Sequence, residues 1–302
     1  KNTNYLMFYV SDNGYWFCPT NADGTADGNK CIKFSELKNW NSDIKVCGKY
    51  VAVSGTSSFD VYKIEDGNLK KISETSVIDN SEIQAIDIRD DGSEFSAVVV
   101  KKDGSKGKSI SIYKANPNDM VFQFKAEKNI DYLIENADVR EVAFVDKDIA
   151  VVAGDQYQGV SVARYTDGAI VTEKKVGIGV GSVSALDNGY YAIGGREWVG
   201  ICKTDSNAPQ QINNTNAFNE EIEALNGRVY SLGWGGILTV ADYKTANNTY
   251  SDFMSVLNPK FVSNAPLKIA EGENAAVGNY QKSLAVTKIG DKTFAYAGKE
   301  NT

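Results

Sequence analysis

The residues with the clearest chemical potential sit in short glycine-bearing loops. Four segments read "GDQYQG" (154–159), "GGREW" (194–198), "GWGG" (233–236) and "GNYQK" (278–282). Each sets a glycine beside an aromatic residue, namely Tyr157, Trp198, Trp234 and Tyr280. Glycine permits close approach of the backbone, and an aromatic ring offers a flat apolar face for a sugar ring, a proline or another protein's anchor residue. Gln156, Arg196 and Asn279 stand beside them with groups that could orient such a ligand by hydrogen bonds. The plainer alternative is that the glycine makes the turn and the ring packs inward.

A second candidate lies in "TNADGTADGNKC", where Asn21, Asp23, Thr25 and Asp27 occupy alternate positions ahead of Gly28. Alternating oxygen donors resemble the start of a calcium loop, although the bidentate Glu that closes an EF-hand is missing. Calcium is the one cofactor the pattern brings into view; an ordinary clamped loop is the alternative. The chain has no histidine. That removes the usual base near neutral pH, the usual zinc and copper ligand, and every Ser-His or Cys-His nucleophile. The adjacent carboxylates Asp90 with Asp91 and Glu220 with Glu221 have diverging side chains, so neither pair makes an acid/base couple across a bond. No catalytic residue is therefore expected. A rival reading, a glycan-processing hydrolase or lyase, would have to work with Tyr and carboxylates.

Four cysteines, Cys18, Cys31, Cys47 and Cys202, are too widely spaced for a C-x-x-C motif. Cys18 closes one strand-like run and Cys31 opens the next, so the loop between them should bring the two sulfurs together as a disulfide. Cys47 and Cys202 are expected free and buried. A disulfide implies an oxidising compartment, and a chain starting at Lys1 suits a processed protein as well as a trimmed one, so an extracellular or cell-surface location is expected. Sequons stand at Asn213 and Asn247. Net charge is −7 and there are five arginines, which argues against a nucleic-acid partner. The one basic cluster, Lys101, Lys102, Lys106 and Lys108, reads as a solvated hairpin tip. No apolar run is long enough to span a bilayer.

The elements that must carry these residues repeat seven times. Apolar first strands end at Val10, Val46, Ile88, Val145, Leu186, Leu225 and Ile269, at intervals of 36, 42, 57, 41, 39 and 44 residues. Tight turns such as "SDNG", "DNG" and "NGR" follow, then near-continuous apolar second strands ("YVAVSG", "FSAVVV", "IAVVAG") that both faces of a layered fold would bury. Third strands alternate ("FDVYKI", "VSVARY"), which predicts partial exposure, and fourth strands are weak and polar ("LKKI", "VFQF", "IVTEK", "PQQI", "YSDF"), as suits an outer edge. The first repeat has no convincing fourth strand beyond "LKNW", so "TFAYAG" near the C-terminus is the candidate to complete a blade there or in its own repeat. The long interval holds "KAEKNIDYLIENAD", read as an excursion with one helical turn around 130–134. Strand-only repeats of this length predict an all-β, seven-bladed β-propeller of four-stranded antiparallel blades, with residues 1–302 as a single domain.

The repeat resembles the WD40/YVTN-like propeller superfamily across nearly the whole chain, without its Gly-His start, Trp-Asp end or YVTN string. "SDNGYWF" is similar to the Asp box of sialidase propellers, but it lacks the Thr and occurs once. The resemblance implies a recognition platform and carries no catalytic residue over. The expectation is a non-catalytic extracellular or surface module that binds protein or glycan or assembles with itself, with no nucleic acid and no membrane span. An intracellular scaffold is the further alternative, distinguished by free thiols on Cys18 and Cys31.

Overall fold

The computed structural model describes residues 4–10, 14–35, 43–78, 81–104, 107–131, 139–147, 149–154, 160–176, 181–196, 198–206, 210–213, 219–233, 238–244, 249–250, 254–255 and 284–297. These residues form seven antiparallel sheets, each a meander of consecutive strands. The first contains β1 (Tyr5–Val10), β2 (Gly14–Pro19) and β3 (Ile32–Ser35). The second contains β4 (Ile44–Cys47), β5 (Tyr50–Ser54), β6 (Ser58–Glu65) and β7 (Asn68–Ser76). The third is β8 (Glu82–Asp90), β9 (Phe95–Asp103), β10 (Gly107–Ala115) and β11 (Gln123–Asn129). The fourth is β12 (Val139–Asp146), β13 (Ile149–Gly154), β14 (Val160–Thr166) and β15 (Ala169–Val176). The fifth is β16 (Ser182–Ala185), β17 (Tyr190–Gly194), β18 (Trp198–Lys203) and β19 (Gln210–Asn213). The sixth is β20 (Asn219–Leu225), β21 (Arg228–Gly233) and β22 (Leu238–Lys244), with two short pieces, β23 (Thr249–Tyr250) and β24 (Met254–Ser255), both paired to β22. A hairpin, β25 (Leu284–Ile289) and β26 (Lys292–Ala297), comes last.

Turn chemistry sets the hairpins. Asp66-Gly67, Asp167-Gly168 and Asn226-Gly227 all have positive φ at both positions and join strands through two-residue loops. That backbone matches the strand twist, and Asp, Asn and Gly tolerate it best. The second strands bury as their apolar runs require: Val98, Val99 and Val100 are fully enclosed, each contributing roughly 1.5–3 kcal/mol of transfer free energy. Third strands bury more than their alternation implies. In β10, Ser111 is enclosed and bonded to Glu127, and Lys114 lies over the Tyr165 ring of the next sheet while pairing with Glu94. Sheets stack on both sides of it, so its polar face is satisfied by neighbours instead of water.

Apolar clusters lie between successive sheets, from first to second through to sixth and hairpin. A seventh joins the hairpin to the first sheet through Leu6, Cys18, Ala26, Cys31 and Tyr296. The described sheets therefore close into a ring, with the first strands of the second to sixth sheets and β25 packed against one another in succession. "TFAYAG" is resolved by this arrangement: β26 pairs with β25 in its own hairpin and touches the first sheet through side chains.

Three expectations need correction. The fourth strand of the third sheet begins at Gln123 and runs through "KAEKN", residues read as excursion, because Ala126 points into the cluster shared with the fourth sheet. Ile130 is fully buried without a helix, and 132–138 lie outside the described residues. Lys101 and Lys108 are not a solvated tip: both are buried, and Lys101 pairs with Glu127 at 2.6 Å. The bridge between Cys18 and Cys31 is present, and Cys202 is free and buried as expected, but free Cys47 is only half-buried at the outer margin of its cluster.

Candidate functional site

The first strands place a charged group at the centre of the ring. In the second sheet, Asp43 and Lys45 flank Ile44; in the third, Asp87 lies between Ile86 and Ile88. Glu141 precedes Val142 in the fourth, Ser182 and Ser184 flank Val183 in the fifth, and Glu221 and Glu223 flank Ile222 in the sixth. The period of two sends the aliphatic residues into the clusters between sheets and the alternate residues to the other face. Lys45 Nζ lies 2.9 Å from Glu141 Oε1 and 3.8 Å from Asp43 Oδ2. The second and fourth sheets are separated by the third, so the Lys45–Glu141 contact spans the shared centre.

Most of these oxygens also tie one sheet to the next. Asp43 accepts a hydrogen bond from the Ile86 amide, and Asp87 Oδ2 accepts from the Phe144 amide at 2.7 Å. Glu141 Oε2 accepts from the Val183 amide at 2.9 Å and the Ser182 hydroxyl at 3.1 Å. Ser182 Oγ in turn accepts from the Ile222 amide at 2.8 Å, and the Ser184 hydroxyl donates to Glu223 Oε2 at 3.5 Å. Gln84 Oε1 adds a bond from the Val139 amide at 3.2 Å. The result is a girdle from the second sheet to the sixth, in which each inner strand holds the following one through a side chain.

Enclosure shifts these groups strongly. Burial pushes Asp87 up to about 6 and Glu223 up to about 7, with Lys45 opposing in both. Burial raises Asp43, and burial with the nearby Glu141 raises Glu221 well above the usual carboxylate range. Burial alone would lower Lys45, but Asp43, Glu141 and Asp87 outweigh it and hold the ammonium well above its ordinary value. Chemically, the arrangement sets one permanent cation among carboxylates, of which Asp87 and Glu223 exchange protons near neutrality. Sequence reasoning missed it by testing only adjacent carboxylates. The electrostatic neighbours of Glu221 come from other strands and from its own alternate face: Glu141, Lys45, Asp43 and Glu223.

Of the loop residues, Arg196 is exposed, in the turn joining the second and third strands of the fifth sheet. Trp198 is half-buried: its ring covers Gly195 so closely that a Cβ there would lie 2.2 Å from it, and it rests against the cluster shared with the fourth sheet. Asn219, fully buried on β20, donates to the carbonyls of Gly195 at 2.7 Å and Trp198 at 2.8 Å and fixes that turn from the neighbouring sheet. Gln156, Tyr157, Trp234, Asn279 and Tyr280 lie outside the described residues. In the clamped loop the oxygens serve one another. Asp23 Oδ1 accepts from Thr25, Asn21 Nδ2 donates to Thr25 Oγ1, and Asp27 pairs with Lys30 at 2.7 Å. Among the described residues no three carboxylates or thiols are grouped to hold a metal ion, and no helix is long and apolar enough to cross a membrane.

No protein-family model matches the chain, nor does any curated protein. Solved structures do. A functionally unknown protein from Desulfotomaculum acetoxidans aligns with a TM-score of 0.62 at 13% identity, covering 84% of this chain and 80% of that one. U3-55K aligns with a TM-score of 0.57 at 10% identity, covering 83% and 77%. The WD40 repeats of RRP9 align with a TM-score of 0.56 at 9% identity, covering 83% and 76%. At these identities the likeness is one of fold, a WD40-type β-propeller.

Proposed function

We propose that this chain is a single-domain, seven-bladed propeller of four-stranded blades, exported through an oxidising compartment, that recognises a protein or glycan partner or assembles with itself and performs no catalysis. The observation that carries this reading is the girdle. Asp43, Asp87 and Glu141 are committed to the next sheet's amides, and Glu141 also to Lys45, which is a structural use of charge. A propeller of WD40 type is a scaffold on which loops make the contacts. The Cys18–Cys31 bridge supports export. The loops between second and third strands, with Gln156, Tyr157, Arg196, Trp198, Trp234, Asn279 and Tyr280, form the proposed binding face. The test is binding of the purified chain to a glycan array and to itself by analytical ultracentrifugation. Arg196→Ala and Trp234→Ala should weaken what binds while leaving the melting temperature unchanged. A large fall in melting temperature with binding intact overturns the assignment of that face.

One observation favours a second reading. Asp87 and Glu223 are held at about 6 and about 7, the range in which a carboxyl group serves as a general acid. Turnover of a panel of aryl glycosides that is abolished by Glu223→Gln would establish a hydrolase in place of a recognition module.

A further inference from the structure

The seams of the ring are unequal. Those joining the second, third and fourth sheets contain long aliphatic and aromatic clusters, such as Ile83, Ile86, Phe95 and Tyr113 in one and Val98, Ile110, Val142 and Val152 in the other. Among the described residues, the seam between the last hairpin and the first sheet has Leu6, Cys18 and Ala26 as buried members, with Cys31 and Tyr296 packed against them. Two of those five side chains are the disulfide itself.

Two further closure contacts of the described residues fall on the same loop. Tyr296 donates its hydroxyl proton to the Gly24 carbonyl at 2.8 Å. Phe294, on the same face of β26, lies flat on Gly24, where a Cβ would come within 2.3 Å of the ring. Gly24 has φ of +85°, a conformation that side-chain-bearing residues rarely adopt. Within the loop, backbone bonds link Asn21 to Thr25 and Asp27 to Pro19. The tip that carries Gly24 is folded by these bonds, and the bridge ties the base of the loop, from the end of β2 to the residue before β3, which sets where that tip stands against the hairpin.

We infer that the Cys18–Cys31 loop is a redox-sensitive clasp that closes the propeller by holding its last hairpin against its first sheet. A dithiol reductant opens it by two thiol–disulfide exchanges. One reductant thiolate attacks a bridge sulfur and releases one cysteine; the second displaces the mixed disulfide and releases the other. Two electrons and two protons pass to Cys18 and Cys31, and the reductant leaves as its own disulfide. The base of the loop then loses its covalent tie, its tip no longer stands fixed against Phe294 and Tyr296, and β25 and β26 separate from the first sheet while the other seams stay closed.

Hydrogen exchange by mass spectrometry on the intact chain, with and without dithiothreitol, tests this. Reduction should speed exchange over residues 284–297 by about tenfold or more while residues 95–115 keep their protection, because local opening then occurs at one seam. Gly24→Ala, with the disulfide intact, should raise exchange over 284–297 in the same way. Unchanged exchange in the hairpin on reduction overturns the inference, and so does a uniform rise across the chain, which would make the bridge a global stabiliser.

Discussion

Replacing Lys45 with Met removes the cation that the described residues place in the central cluster while keeping the length of the side chain. At an effective dielectric of about 20, a unit charge at 2.9 Å from Glu141 and 3.8 Å from Asp43 interacts with them by roughly 6 and 4 kcal/mol. Relief of the ammonium's own desolvation offsets part of that, and because these side chains keep 13–27% of their surface exposed, the cost should sit toward the lower end of the roughly 3–5 kcal/mol typical of breaking a buried pair. The cost should depend on pH. Asp87 and Glu223 hold their protons more tightly folded than unfolded, since their pKa values rise from 3.8 to about 6 and from 4.5 to about 7. Stability is therefore greatest below the unfolded values and declines as pH rises through this window, by at most about 3 kcal/mol for each group at roughly 1.4 kcal/mol per pKa unit. Lys45 stays charged throughout. Without it the carboxylates repel one another unopposed near pH 8, whereas near pH 5 they relieve the repulsion by taking up protons. Urea unfolding of Lys45→Met followed by far-ultraviolet circular dichroism should show a loss of about 3 kcal/mol near pH 8 and less than half of that near pH 5. Equal losses at the two pH values, or a loss under about 1 kcal/mol near pH 8, would refute the picture of an enclosed charge cluster.

Three further outcomes follow from individual contacts. Trp198→Ala should cost about 2–4 kcal/mol, because the ring is half-buried over Gly195, whereas Arg196→Ala should stay within about 0.5 kcal/mol; chemical denaturation of both variants checks this. Asn219→Ala removes bonds to the Gly195 and Trp198 carbonyls and to Ser231 in a fully buried setting, so a loss of about 2–4 kcal/mol and faster amide exchange around residue 195 are expected. Maleimide labelling of the denatured, unreduced chain should modify Cys47 and Cys202 alone, and modification of all four cysteines would show that the bridge does not form in solution.

The repeat and its strands were legible because they depend on information carried within a few residues. Asp-Gly and Asn-Gly turns force positive φ, and runs such as "FSAVVV" have nowhere to go but between layers. The Cys18–Cys31 bridge was legible for the same reason, since both cysteines flank one loop. What failed needed neighbours. "VFQF" looks more strand-like than "KAEKN", yet β11 takes only the last two residues of the first and runs through the second, where Ala126 enters the cluster shared with the fourth sheet. Lys101 looks solvated until Glu127, on the fourth strand of the same sheet, is set beside it.

The central cluster shows most clearly what a single strand conceals. Taken alone, Asp43-Ile44-Lys45 is an ordinary alternation with one wet face, and nothing in it predicts a partner on Glu141, nearly a hundred residues away and two sheets round the ring. Closure turns all the alternate faces toward one centre, where charge that would be solvated in an open sheet must find a protein partner. The substitutions along the chain obey that constraint. Asp43, Glu141 and Ser182, each standing just before the matching aliphatic residue, bond to the following strand at Ile86, Val183 and Ile222. The third sheet has Ala85 at that position and cannot do so. Asp87, two residues on and hence on the same face, takes over and bonds one step further along the next strand, at Phe144. A shift by one residue would have sent its carboxylate into the apolar seam, so the period of two explains both where the acids stand and why the gap at Ala85 is filled from Asp87.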